Sequence, residues 1–171
     1  MLEDRGYDIV DEQNVQHAIK NELPVLKGRR PDEELPMYVF FVEEAKIGVK
    51  TVRRIVPLIG VEAHRILLVS DEGPTPFTKK ELLLTPEIEY MLYKRLSFNF
   101  ARCDIVPPHR LLSEEEERAL RRKFATREDD EWPKLYSTDP IVRYFNFPSG
   151  RIVEISRYTG YEPSLYYRVV Q

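Results

Sequence analysis

Two short apolar runs separated by one helical segment constrain the fold most strongly. Residues 37–42 read MYVFFV and residues 65–69 read RILLV, and continuous runs of this length are typical of strands buried on both faces. Between them, residues 51–59 repeat apolar side chains at the spacing of one helix face, and Pro57 should shorten that helix. A strand, helix, strand order indicates an α/β unit with a partly parallel pair of strands.

The segments around this unit predict shorter elements. Gly6 is placed to end a short helix at the start of the chain, and Asp11 is placed to cap a second short helix. Three prolines and many charged residues predict a loop over residues 21–36. Residues 47–50 (IGVK) predict a second strand. Residues 88–101 fit both a strand and a helix, and the pattern leaves both open.

The last third of the chain carries the signals of a second small module. Ser113 with Glu116 three residues later predicts a capping box, and the acidic start and basic end of that helix match its dipole. Asp139-Pro140 predicts an N-cap followed by proline at the first helical position. Asn146 is suited to end this short helix in a left-handed conformation.

Strands complete this module. Residues 151–157 (RIVEISR) and 165–170 (LYYRVV) have the β-branched and aromatic content of good strands. The prolines in residues 105–109 (IVPPH) predict a domain boundary, which divides the chain into residues 1–104 and 105–171.

Composition restricts the kinds of partner. The net charge of −3 argues against a protein that coats nucleic acid through bulk electrostatics, so any DNA contact must rest on a few local cations. Cys103 is the single cysteine, so the chain cannot contain an internal disulfide, and a reducing, intracellular compartment is expected. No apolar run approaches the ~20 residues that span a bilayer, so no membrane contact is predicted.

An ordered series of motifs at the C-terminal end resembles a known family. Residues 132–135 (WPKL), 139–145 (DPIVRYF), 150–153 (GRIV) and 167–170 (YRVV) follow one another at short spacings. This series resembles the C-terminal assembly domain of the shared fifth-largest subunit of eukaryotic DNA-directed RNA polymerases, which has an archaeal counterpart. Residues 105–109 are similar to that family's L-V-P-E-H motif, with Pro108 in place of the acid.

The resemblance extends upstream. Residues 2–7 (LEDRGY) and 38–51 (YVFFVEEAKIGVKT) match family motifs, and residues 73–76 (GPTP) match the start of a loop usually written T-P-S-A. Phe77 and Thr78 stand where that family has serine and alanine. Such departures indicate a divergent member, for example one encoded by a large DNA virus.

The resemblance implies an α/β (α+β) fold with two modules. Residues 1–104 are expected to form a jaw domain whose mixed sheet is similar to the restriction-endonuclease-like fold. Residues 105–171 are expected to form a small α+β assembly domain. The implied role is that of a non-catalytic subunit, which helps to build the cleft that holds downstream DNA during transcription. The implied location is the nucleus for a cellular protein, and a cytoplasmic viral factory or the virion for a viral one.

The resemblance also implies the partners and the site residues. The partners are the largest polymerase subunit, other polymerase subunits and downstream duplex DNA, with no cofactor, metal, membrane or small-molecule substrate. The residues expected near DNA are Thr75, Pro76, Lys79 and Lys80, although the two lysines equally fit plain surface charge. The residues expected to contact the largest subunit are Pro107, His109, Asp139, Pro140, Arg143, Tyr144, Arg157, Tyr167 and Arg168.

Two other classes of function stay open from the sequence. Asp32 after Pro31, followed by Glu44 and Lys46, spells the PD…(D/E)xK string of magnesium-dependent nucleases, in which two carboxylates hold the metal and a lysine polarises the attacked phosphate. This string is short and degenerate, so chance matches are common. A stand-alone nucleic-acid-binding adaptor would present a basic face with stacking aromatics, and the acidic balance argues against it.

Overall fold

The chain folds as two compact units, Met1–Phe98 and Asn99–Gln171. The computed structural model describes residues 1–12, 25–44, 46–126, 131–158, 160 and 162–171. The division between the units falls six residues before the boundary predicted from the prolines of residues 105–109. Both units combine a mixed sheet with helices, as the α+β prediction requires.

The first unit is built on a five-stranded sheet in the order β1-β2-β3-β4-β5. Its strands are β1 (Asp8–Glu12), β2 (Leu26–Arg29), β3 (Met37–Phe41), β4 (Arg65–Ser70) and β5 (Ile88–Leu92). β1, β2 and β3 are antiparallel neighbours, whereas β3, β4 and β5 run parallel. The predicted parallel pair is therefore confirmed as β3 and β4.

The continuous apolar runs are explained by burial on both faces of this sheet. On one face Phe40 and Leu68 pack against α1 (Val49–Ile55) and α2 (Pro76–Leu83). On the other face Val39, Leu67 and Val69 pack against Leu2 and Tyr7 from the start of the chain. Parallel strands covered on both faces need apolar side chains at successive positions, so they lack the alternation of a half-exposed strand.

Local signals in this unit are largely confirmed. A 3-10 helix, Glu3–Arg5, ends at Gly6, whose φ of 82° lies in the left-handed region. The helix after Gly48 ends at Ile55 and continues only as a 3-10 turn, Val56–Leu58, as Pro57 predicted. The ambiguous segment from residue 88 contains both elements, because β5 is followed by the short helix α3 (Tyr93–Leu96).

Three predictions for this unit are corrected. β2 lies where a loop was predicted, since the sequence LKGR (residues 26–29) carries no apolar run to mark a strand between β1 and β3. Residues 47–50 are not a strand, because Ile47 is buried in the loop before α1, which begins at Val49. Asp11 lies in β1, and the apolar face of the helix predicted after it falls outside the described residues.

In the described residues, the second unit is a four-stranded sheet with one α-helix packed on each face. The strand order is β6-β8-β9-β7, formed by β6 (His109–Leu111), β7 (Lys134–Leu135), β8 (Ile152–Tyr158) and β9 (Pro163–Val170). α4 (Glu114–Phe124) packs through Leu120 against Ile152 and Val169. α5 (Pro140–Phe145) packs through Val142 against Val153 and Ile155 on the other face.

The predicted helix signals of this unit are confirmed. Ser113 and Glu116 form the reciprocal capping box of α4. The Asp139 carboxylate accepts from the Ile141 N–H at 2.8 Å, which caps α5, and Asn146 ends it at φ 54°. Within the described ranges, no helix is both long and apolar enough to cross a membrane.

Candidate functional site

The residues predicted near DNA lie at the start of α2. Thr75 is the N-cap of this helix and Pro76 is its first residue, so the two prolines that flank Thr75 restrict the approach to the helix. Thr75 is half-buried, whereas Pro76, Lys79 and Lys80 are exposed. The structure thus brings these four residues together on one turn.

Hydrogen bonds fix this turn to the strand-end loop before α1. The buried Thr78 hydroxyl donates to the Ile47 carbonyl at 3.0 Å, so the Thr75 hydroxyl, 2.8 Å from Thr78 Oγ1, must be the donor in that second contact. Thr75 Oγ1 also accepts from the Thr78 N–H at 3.3 Å. The Thr75 side chain is therefore committed to the cap, and the exposed cations of the turn are Lys79 and Lys80.

Several residues predicted to contact a partner subunit meet on one face of the C-terminal sheet. His109 is paired with Ile155, which is paired with Tyr166, and Arg168 is paired with Val153. Because cross-strand partners share a face and alternate residues return to it, Arg157 of β8 belongs to this face as well. We call His109, Asp139, Arg157, Tyr166 and Arg168 the C-terminal basic cluster.

The protonation of His109 reflects this neighbourhood. Burial is the main cause that lowers the pKa of His109, and the positive charges of Arg157 and Arg168 lower it further. A hydrogen bond between His109 Nδ1 and the Pro107 carbonyl (2.6 Å) and the charge of Asp139, the N-cap of α5, oppose this shift. Because a carbonyl only accepts, Nδ1 carries the proton and Nε2 is left as an acceptor in the neutral ring.

The two arginines of the cluster carry positive charge that the described part of the chain does not neutralise. The Arg157 guanidinium lies 5.0 Å from the centre of the Tyr166 ring, a cation–π contact between neighbouring strands. Arg168 donates to the Lys134 carbonyl at 3.0 Å. Neither guanidinium has a carboxylate partner among the described residues.

Other predicted contact residues are separated from this cluster. Tyr167 lies on the opposite face of β9, where burial and the nearby Glu154 carboxylate raise its pKa. Tyr144 is buried at 3% exposure, and its hydroxyl donates to Asn99 Oδ1 at 3.1 Å. Pro140 is the exposed first residue of α5, and Arg143 is half-buried in its last turn.

The nuclease-like string does not assemble into one site. Asp32 lies in the turn before β3, whereas Glu44 and Lys46 follow that strand. The five-residue strand is about 13 Å long at ~3.3 Å per residue, but the ligands of one metal ion lie ~2–2.6 Å from it. In the part of the chain that the structure describes, no group of His, Cys, Asp or Glu is arranged to hold a metal ion.

The last two residues of that string have structural partners instead. Lys46 Nζ lies 3.1 Å from Glu72 Oε2, and Glu44 accepts from the Thr51 hydroxyl at 3.2 Å. Lys46 and Glu44 are both exposed, so these contacts resemble ordinary surface pairs rather than a desolvated catalytic site.

Sequence reasoning missed the aromatic support of Arg157 and the apolar surface of α2. The partner of Arg157, Tyr166, is identified only by the register of β8 against β9, although alternation along each strand would place both on one face once that register is known. Phe77 on α2 and Leu84 at its C-cap are largely exposed. Which side of so short a helix is exposed depends on the elements that pack against it, so the sequence of the helix alone does not predict it.

Comparison with known proteins gives a consistent family. Residues 98–170 match the family model described as RNA polymerase Rpb5, C-terminal domain. The chain is 28% identical to a Caenorhabditis elegans protein named DNA-directed RNA polymerases I, II, and III subunit RPABC1, over 92% of this chain and 83% of that protein. It is 27% identical to the corresponding Dictyostelium discoideum subunit (92% and 84%). It is 26% identical to an Arabidopsis thaliana protein named DNA-directed RNA polymerases IV and V subunit 5B (91% and 78%).

Proposed function

We propose that the chain, as an Rpb5-family protein and a non-catalytic subunit of a DNA-directed RNA polymerase, docks on the largest polymerase subunit through its C-terminal unit. The proposed docking surface is the C-terminal basic cluster on the face of the sheet that also carries α5. The first unit would form part of the jaw that holds downstream duplex DNA. Such a subunit acts inside the cell, where other polymerase subunits are its partners.

One observation carries the docking proposal: two arginines of the cluster lack a carboxylate within the described residues, and one of them stacks on an aromatic ring. Arg157 is exposed and rests on Tyr166, so part of its rotamer freedom is already lost in the free subunit. Arginine and tyrosine are enriched at protein interfaces. Carboxylates of the partner would accept charge-assisted hydrogen bonds from both guanidinium groups.

The expected DNA contact rests on different residues. Phosphate contacts position a duplex without reading its sequence, and they need only a few exposed cations. Lys79 and Lys80 are exposed on a turn that the Thr75 cap and two prolines hold in place. With a net charge of −3, the isolated chain is expected to bind duplex DNA weakly, and the contact would form only when other subunits hold the DNA nearby.

The docking proposal is tested by charge reversal in the full chain, co-expressed with the largest polymerase subunit. We expect the double variant Arg157→Glu/Arg168→Glu to weaken association by roughly tenfold or more, because like charges would face the partner carboxylates. The matched control is Arg118→Glu/Arg122→Glu on the exposed side of α4, which makes the same change in charge on the other face of the sheet.

Association of the control pair should stay near that of the wild type. Equal weakening by both pairs would show that net charge, not this face, governs docking. Unchanged association of the cluster variant would refute the proposed surface. Thermal unfolding of each free variant separates weaker docking from a disrupted fold.

A further inference from the structure

The helix α2 exposes more large apolar side chains than it buries. Phe77, Leu83 and Leu84 are exposed at 75%, 82% and 79%, whereas the residues that it buries are Thr78 and Leu82. Single exposed apolar residues are common on soluble proteins, but three on one eight-residue helix and its C-cap form a patch of the kind that marks an interaction site.

Two of these residues belong to an open groove between α1 and α2. The groove has a volume of about 450 Å³ and is lined by Val49, Arg53, Phe77, Lys80, Glu81 and Leu84. Phe77 and Leu84 are seven residues apart, which is two helical turns and about 10.5 Å along the axis. Apolar side chains at positions i and i+7 of a partner helix have the same spacing.

The charged side chains around the groove carry a net positive charge. Arg53 and Glu81 neutralise each other across the two helices, with Arg53 Nε donating to Glu81 Oε1 at 3.1 Å. Lys80 lines the groove, and Lys50 follows the lining residue Val49 on α1. Both lysines are exposed, and neither has an acidic partner within the described residues. An occupant with carboxylates beside its apolar residues would complement these two lysines.

The chemistry of the groove fits protein better than nucleic acid. DNA presents phosphates to such a surface, and phosphates gain nothing from contact with Phe77 and Leu84. Lys79 is on the other side of the exposed surface of α2, with Pro76, and leaves that side available for a phosphate contact. Lys79 therefore lies outside the groove, whereas Lys80 lines it and is shared with the proposed DNA contact.

We propose that the groove between α1 and α2 binds an acidic amphipathic helix of another protein chain. The apolar side chains of that helix would pack between Phe77 and Leu84, and its carboxylates would pair with Lys50 and Lys80. This interaction goes beyond docking on the largest subunit, because it uses the first unit and depends on none of the residues of the C-terminal basic cluster.

The test uses the full chain and a fluorescent probe peptide of about 18 residues, helical, with leucines at i, i+3, i+4 and i+7 and glutamates on its other face. We expect anisotropy to report saturable binding that Phe77→Ser or Leu84→Ser weakens roughly tenfold or more, the loss that ~1.4 kcal/mol of apolar contact represents. Lys80→Glu should weaken it several-fold. The matched control Val61→Ser removes an equally exposed apolar residue outside the groove and should leave the affinity unchanged.

Three results with the wild-type chain would overturn the proposal. The first is that a peptide with lysine in place of each glutamate binds as tightly as the acidic probe. The second is that duplex DNA competes as effectively as unlabelled probe. The third is that no saturable binding is observed. An effect of Val61→Ser equal to that of Leu84→Ser would likewise reject the groove as the site. Since all these positions are exposed, unchanged thermal unfolding is expected for every variant and is measured alongside.

Discussion

Glu117 of α4 accepts a 2.7 Å hydrogen bond from the Nε of Arg151, at the entrance to β8. The same carboxylate oxygen accepts from the Ile152 N–H at 3.0 Å, and Arg151 also donates to the Leu112 carbonyl. Glu117 is 9% exposed, so the pair ties the helix to the sheet in a largely dry environment. The free-energy cost of removing these two charges from water is offset only while both partners are present.

Removing the Glu117 carboxylate should therefore destabilise the second unit. We expect Glu117→Ala to lower the free energy of unfolding by about 3 kcal/mol, because Arg151 and the Ile152 N–H lose their acceptor. Glu115→Ala, on the same helix but exposed, should change it by no more than ~0.5 kcal/mol. Urea titration of both variants measures the difference, and equal midpoints would show that water replaces the carboxylate without cost.

His109 predicts a pH dependence of stability with a definite sign. Burial lowers the pKa of His109 below its ordinary value of 6.5, so the unfolded chain binds this proton more readily than the folded one. The contribution is fully present above the unfolded pKa and is lost as pH falls toward the folded pKa. Wild-type protein should thus lose more stability than His109→Asn between about pH 7.5 and 5.5, since asparagine keeps a donor toward the Pro107 carbonyl and does not titrate.

The quantity to measure for His109 is the difference in free energy of unfolding between the wild type and His109→Asn, at several pH values. It should be constant above about pH 8, where the histidine is neutral in both states. A difference that does not vary with pH, or that favours the wild type more at about pH 5.5, would contradict a half-buried histidine that is neutral in the folded state.

The sequence identified the elements whose cause is local. The apolar runs of β3 and β4, the cap at Ser113 and the left-handed Asn146 each follow from a few neighbouring residues. β2 was missed because LKGR (residues 26–29) becomes a strand through pairing with β1 and β3, neither of which is encoded in its own four residues. Tertiary pairing overrides weak local preference in such cases.

The sequence likewise predicted part of the candidate site. Motif resemblance predicted His109, Arg157 and Arg168 individually, and the register of β6, β8 and β9 places them on one face. The opposite orientation of Tyr167 follows from alternation once β9 is recognised, whereas the burial of Tyr144 depends on packing and on its bond to Asn99. Long-range packing of that kind leaves no signal in a single sequence.

The lysines of α2 are expected to contribute to the salt dependence of DNA retention in the assembled polymerase. Replacing Lys79 and Lys80 with alanine should reduce the slope of log affinity against log salt by about 0.9 for each phosphate that is no longer neutralised, so by one or two such steps. Sequence preference should not change, because phosphate contacts carry no base information. The measurement is a salt titration of elongation-complex stability, with Lys94→Ala/Arg95→Ala on α3 as a control of equal charge.

The contrary outcome is a salt slope of the Lys79/Lys80 double variant that matches the wild type, together with photocrosslinks from position 75 that reach only protein. It would assign this turn to a contact with another subunit. A slope lowered equally by the control pair would indicate a general field effect of net charge rather than a contact made by Lys79 and Lys80.

The last prediction concerns the nuclease-like string. Asp32 is separated from Glu44 and Lys46 by the length of β3, and Lys46 already pairs with Glu72. We therefore expect the purified full chain to leave supercoiled, linear and branched DNA intact with Mg²⁺ or Mn²⁺, as two-carboxylate metal catalysis needs both ligands on one ion. Glu44→Ala and Lys46→Ala serve as the controls that distinguish intrinsic cleavage from a contaminant. The contrary outcome is cleavage by the wild type that is lost in both variants while each variant stays folded. It would establish an active site in which Asp32 moves toward Glu44, and the non-catalytic assignment would then be wrong. Cleavage that persists in both variants would come from another protein in the preparation, because an enzyme of this type cannot lose its metal-binding carboxylate and its lysine without loss of rate.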